Sequence, residues 1–237
     1  GVIEQVVSGI GNVEHNSILV RYSNDFSIWD LESVNHYKDQ TDIFFTCHEF
    51  SYNKIAEAYE PYLGLIRQMF HKYCSGTLEE FMEECDVYKL QRPVFESYFE
   101  KGFCERTEQI LIDEVEYEQE RMRNSIVTML QKLSEIRPVV IVLNRFQLAS
   151  KSTMQLSNSL LQVKNKNIGI VLGVNDVQSI PEFAHEEWDA ICESMDDRNM
   201  VYHIGNAGRN MEPDVMDYYS DYESDDGYRK LTRQTII

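Results

Sequence analysis

The chain has 237 residues, 43% hydrophobic and 26% charged, enough for one large domain or a domain with a small appendage and for a real core. Lysine and arginine less aspartate and glutamate give 22 − 40 = −18, a charge that repels DNA, RNA and anionic lipid and weighs against direct nucleic-acid binding. No apolar run approaches the roughly 20 residues that span a bilayer. No signal-peptide pattern opens the chain, and Cys47, Cys74, Cys85, Cys104 and Cys192 form no C-x-x-C pair, which fits a reduced cytoplasmic protein better than a disulfide scaffold.

In chain order, residues 2–10 read as a short helix with Ile3, Val6 and Val7 on one side. Ile18 to Val20 is the first strand, and Leu31 and Val34 suggest that a helix follows. "IFFTC" (43–47) is a second strand, rich in β-formers. A helical stretch comes next. Pro61 sits where a first-turn proline is tolerated, and Leu63, Ile66, Met69, Phe70 and Tyr73 recur at helical spacing. Thr77 with Glu80 predicts a capping box, and Pro93 opens a further helix bearing Phe95, Tyr98 and Phe99. Residues 107–137 read as one long helix whose apolar stripe is Met122, Ile126, Met129, Leu133 and Ile136.

"PVVIVLN" (138–144) is the clearest strand, apolar from Val139 to Leu143 and so buried on both faces. Ser150 or Ser152 caps a helix carrying Leu156, Leu160 and Val163. "IGIVLGV" (168–174) is another buried strand. Ser179 with Glu182 predicts a second capping box, for a helix burying Ala184, Trp188, Ile191 and Met195. "MVYHI" (200–204) is a fifth strand.

Strands alternating with helices predict an α/β fold with a parallel, doubly wound sheet of about five strands. The helical excursion after the second strand, roughly 90 residues long, exceeds one crossover and predicts an insertion at about 53–135 in a domain spanning 2–205. Residues 206–237 form an acidic tail. Residues 212–227 hold seven acids and no base, −7 of the −18. The run reads as solvated chain, while Tyr218, Tyr219, Tyr222 and Tyr228 keep open docking to a basic partner.

Three stretches, "SILVRYSNDFSIWDLESV" (17–34), "DIFFTCHEF" (42–50) with the helix after it, and "RPVVIVLNRFQLASKSTMQLSNSLL" (137–161), together resemble the AAA-like ATPase domain of STAND regulators. That family occurs in large bacterial signalling and transcription-regulator proteins. The first stretch stands where the family has strand, P-loop and helix. The last stands where it has a buried strand ending in two acids, then a leucine–glutamine–tryptophan–alanine–aspartate run and a helix. The resemblance implies a P-loop NTPase-type fold.

The functional residues depart from that pattern. A working P-loop needs glycines to wrap phosphate in backbone N–H groups, a lysine for the β/γ-phosphates and a hydroxyl for magnesium. The corresponding turn is Tyr22, Ser23, Asn24, Asp25, Phe26, Ser27, Ile28 and Trp29, with no glycine or lysine. Trp29 could fill the vacated volume as an apolar plug. The acids that hold Mg²⁺ at the end of the buried strand are replaced by Asn144 and Arg145, while Gln147 and Ala149 match the family and Leu148 and Ser150 do not. Losing both the phosphate and the magnesium elements predicts a domain without hydrolysis, with no cofactor.

The remaining chemistry is thinner. His71 and Cys74 share a helix face, but structural zinc usually needs four ligands and no second pair accompanies them. Glu114, Glu116, Glu118 and Glu120 read as a solvated run. His48, Glu49 and Asn175 lie at strand ends, where parallel sheets bind ligands, and define a candidate cleft with Asn144. The expected function is a catalytically inactive scaffold or protein-interaction module, its partner a protein or other domains of the same polypeptide. Two alternatives stay open: an ATP/Mg-dependent NTPase with non-standard loops, and a small-ligand-binding α/β module.

Overall fold

A computed structural model describes residues 2–12, 16–23, 36–37, 42–54, 56–102, 115–175, 180–196 and 201–204. Helix α1 (Val2–Gly9) precedes strand β1 (Ser17–Tyr22), and β2 (Phe44–Glu49) follows. Four helices come next: α2 (Tyr62–Tyr73), α3 (Leu78–Glu84), α4 (Arg92–Lys101) and α5 (Val115–Ile136). Then come β3 (Val139–Asn144), a 3₁₀ turn (Phe146–Leu148), α6 (Lys151–Val163) and β4 (Ile168–Asn175). A second 3₁₀ turn (Glu182–Ala184), α7 (His185–Asp196) and β5 (Val201–Ile204) complete the described elements.

The five strands form one sheet in the order β2-β3-β4-β1-β5, and every neighbouring pair is parallel. The chain is therefore α/β with a parallel sheet. β3 lies beside β2, and β1 is interior, although the middle strand is β4. β3 and β4 are buried along their whole length, as continuous apolar runs demand of inner parallel strands. β2, at the sheet edge, is only half-buried.

Alternation splits the strands between two cores. Leu19, Ile141, Leu143, Ile170, Leu172 and Val174 face one side and join residues of α2–α7 in one continuous cluster. The helical insertion thus shares a core with the sheet. Ile18, Val20, Tyr22, Val140, Val142 and Val171 face the other side, where Val2, Ile3 and Val6 of α1 cover them. Gly169 is the closest approach of α1. A Cβ there would lie 2.6 Å from Val6 Cγ1 and 3.1 Å from the Asn16 carbonyl. Asn16 anchors the entry to β1, its Nδ2 donating to the carbonyls of Asn165 at 2.7 Å and Ile168 at 2.8 Å.

Several local expectations change. The Thr77–Glu80 capping box forms, and Ser150 rather than Ser152 caps α6. Residues 103–114 lie outside the described residues, so the long helix is described only as Val115–Ile136. Its stripe is buried at Ile126, Met129 and Leu133, but Ile136, in the last turn, is 51% exposed. Val163, in the last turn of α6, is likewise exposed. The box predicted for Ser179 with Glu182 rests on a residue outside the described ones; Glu182–Ala184 is a 3₁₀ turn without a side-chain cap at Pro181, and α7 starts only at His185. Ser179 lies outside the described residues.

Candidate functional site

Parallel strands all present their carboxyl ends at one edge of the sheet, where ligands bind in open α/β folds. That edge carries Tyr22 of β1, Glu49 of β2, Asn144 of β3 and Asn175 of β4. Of the turn that stands in place of a phosphate loop, only Tyr22 and Ser23 are among the described residues. Asn24, Asp25, Phe26, Ser27, Ile28 and Trp29 lie outside them, and with them the suggested Trp29 plug.

Tyr22 is 1% exposed and its hydroxyl donates to Asn144 Oδ1 at 2.8 Å. The two residues belong to strands that are not neighbours, so the ring spans β4. The row of β4 paired with Val20 holds Gly173, which has no side chain. Burial pushes the Tyr22 phenol up to about 12, only partly offset by a hydrogen bond from the Arg145 backbone and by the Arg145 charge. The phenol is therefore a neutral donor at any physiological pH.

Asn144 is fully buried, and its Nδ2 has no hydrogen-bond partner among the described residues. An unmet buried donor costs about 1–3 kcal/mol. Arg145 turns the chain out of β3 at φ 52°, ψ 42°, the left-handed region. Its Nε lies 3.2 Å from Glu49 Oε1, so its charge is matched within the chain. The 3₁₀ turn after it buries Phe146 and Gln147, and Gln147 Oε1 accepts from the Asn175 backbone N–H at 3.3 Å.

His48 is separated from this group. It alternates to the face opposite Glu49 and packs edge-on to Phe50, ring centroids 4.6 Å apart. Phe50 in turn meets Phe146. Burial lowers the His48 pKa, against the pull of the nearby Glu60 carboxylate. The strand-end residues thus fall into two sets: Tyr22, Glu49, Asn144, Arg145, Gln147 and Asn175 converge, while His48 sits with Phe50 behind them.

Family models, curated proteins and solved structures offer no match to this chain. What the edge can do follows from its own groups. No group of three or more metal-ligating side chains occurs among the described residues, His71 and Cys74 included. No helix among them is long and apolar enough to cross a membrane. Among the described residues, a buried amide, a neutral phenol and a guanidinium paired with Glu49 supply hydrogen bonds and shape.

The contact that sequence reasoning missed is Tyr22 to Asn144. Both were singled out, but as separate losses. They are 122 positions apart, and their meeting depends on strand order, which no local pattern encodes.

Proposed function

We propose that this chain is a catalytically silent P-loop-like domain, serving as a regulatory scaffold or protein-interaction module of a bacterial cytoplasmic signalling protein. Its partners are a protein or other domains of the same polypeptide, with no direct role for nucleic acid or membrane. β3 beside β2 supports the fold half of this reading, which also expects β1 at the centre of the sheet, where β4 lies instead with β1 next to it.

The observation that carries the functional half is the end of β3. There, an NTPase holds Mg²⁺ and orients water with acids. Here, Asn144 is a buried amide already engaged by Tyr22, and the nearby Glu49 carboxylate is taken up by Arg145 rather than left to hold a cation.

A second reading, a small-ligand-binding module, is favoured by the unpartnered Asn144 Nδ2. A ligand carbonyl or carboxylate oxygen would satisfy it. Thermal unfolding separates the readings. A ligand at about 100 times its dissociation constant stabilises by about 2.7 kcal/mol, a shift of several degrees for a domain of this size. The silent reading expects no shift with millimolar Mg-ATP, and a clear one would overturn it. The second reading requires a shift with a small carboxylate that Asn144→Leu abolishes.

A further inference from the structure

We propose that the carboxyl edge of the sheet is an internal latch, in which the Tyr22 phenol ties β1 to β3 and holds the strand ends in one conformation. The latch deepens the scaffold reading above, but it stands on contacts within this chain.

Three ties join the strand ends. Tyr22 Oη donates to Asn144 Oδ1 at 2.8 Å and links β1 to β3 across β4. Arg145 Nε pairs with Glu49 Oε1 at 3.2 Å and links the exit of β3 to β2. The Asn175 N–H donates to Gln147 Oε1 at 3.3 Å and links β4 to the turn after β3. Four adjacent strands, β2, β3, β4 and β1, are therefore cross-braced where their chains leave the sheet.

The ties differ in strength. The Glu49–Arg145 pair is about one-third exposed and is screened by water. The Tyr22–Asn144 bond is shielded, since one residue is 1% exposed and the other fully buried. Breaking it leaves a second unmet polar atom on Asn144, beside the Nδ2 that already lacks a partner. It is the tie that decides whether the edge opens.

Arg145 is a second sign of constraint. A non-glycine residue in the left-handed region persists only where its surroundings over-determine it. Here both flanks are held: Asn144 by Tyr22 and Gln147 by Asn175. In α/β domains that switch with a ligand, loops at this edge order and release. A latch made of the chain's own side chains removes that freedom.

Hydrogen exchange tests the latch. Tyr22→Phe keeps the ring and removes only the hydroxyl. Amide exchange at 142–148 and 19–22 is compared in wild type, Tyr22→Phe, Asn144→Ala and the double variant, each with and without Mg-ATP. Either single substitution is expected to speed exchange at these ends about tenfold, with no further gain in the double variant and no change in α2–α4. Wild-type rates in Tyr22→Phe, or independent effects that multiply in the double variant, would overturn the latch. If Asn144→Ala does not fold, Glu49→Gln serves in its place. It removes the weaker, more exposed tie and is expected to speed exchange at 143–148 less than Tyr22→Phe does; a larger effect than that of Tyr22→Phe counts against the latch. Slower wild-type exchange with Mg-ATP would overturn the silent reading, leaving the latch to be judged on Tyr22→Phe.

Discussion

Tyr22 couples a structural role to a titration. Its phenol is raised to about 12 chiefly because burial disfavours the phenolate, whereas an unfolded tyrosine ionises near 10. The neutral form is the one the fold stabilises. Its contribution is therefore complete below about pH 10 and is lost as pH rises through the folded value. By about pH 11 the loss is roughly 1.4 kcal/mol. Tyr62, also raised by burial, and Cys85, raised to about 12, add to the same alkaline decline. Tyr22→Phe removes only the first term. Between about pH 9 and pH 11 its stability should fall by roughly 1.4 kcal/mol less than that of wild type in urea unfolding. Parallel curves for the two proteins would place the Tyr22 phenol in water.

At the scale of elements, α1 depends on one residue of a strand it does not follow directly. Gly169 of β4 lets Val6 approach, and a Cβ would meet Val6 Cγ1 at 2.6 Å and Val140 Cγ2 at 3.2 Å. The Asn16 carbonyl, at 3.1 Å, is backbone that accepts from the Ile170 N–H and cannot give way cheaply. Gly169→Ala should cost about 1–3 kcal/mol through overpacking and loosen α1 first. Proteolysis or exchange at residues 2–10 reads this directly. An alanine variant with wild-type stability would show that α1 does not seat as described. The elements themselves were legible because their signals are local. Val139 to Leu143 reads as an inner strand from its unbroken apolar run, and Thr77–Glu80 as a helix start from two side chains. Legibility fails at helix ends. Ile136 and Val163 keep the helical period, yet their last turns pass beyond what the core covers. At Glu182 the cap pattern is present, but the chain takes a 3₁₀ turn before α7.

For the molecule as a whole, sequence and structure each show a different part of the site. The lack of acids at the end of β3 is plain in "VLNR", but that Asn144 is occupied by Tyr22 is a property of the sheet order. The charge of −18 acts at the same scale, because like charges in a compact body repel. At about 0.01 M salt the screening length is about 30 Å, as large as a domain, whereas at about 0.15 M it is about 8 Å. Buried carboxylates respond the opposite way to acid. Burial resists ionisation of Glu187, but hydrogen bonds from Gln155, its own backbone and Lys151 outweigh it and lower the pKa. Glu187 thereby joins α7 to α6, and Gln155 reaches on to Arg123 of α5. A lowered folded pKa gives stability that is present above the unfolded value, about 4.3, and lost as pH falls through the folded one. Self-repulsion weakens as the exposed acids protonate, so the two effects cross near that point. The melting temperature at neutral pH should rise between about 0.01 and 0.15 M sodium chloride. At low salt it should drop below about pH 4 as the Glu187 network protonates. Gln155→Ala should flatten the acid limb without touching the salt response. A melting temperature indifferent to salt at neutral pH would mean that the acids lie too far apart, or too well paired, for the net charge to weigh on the fold.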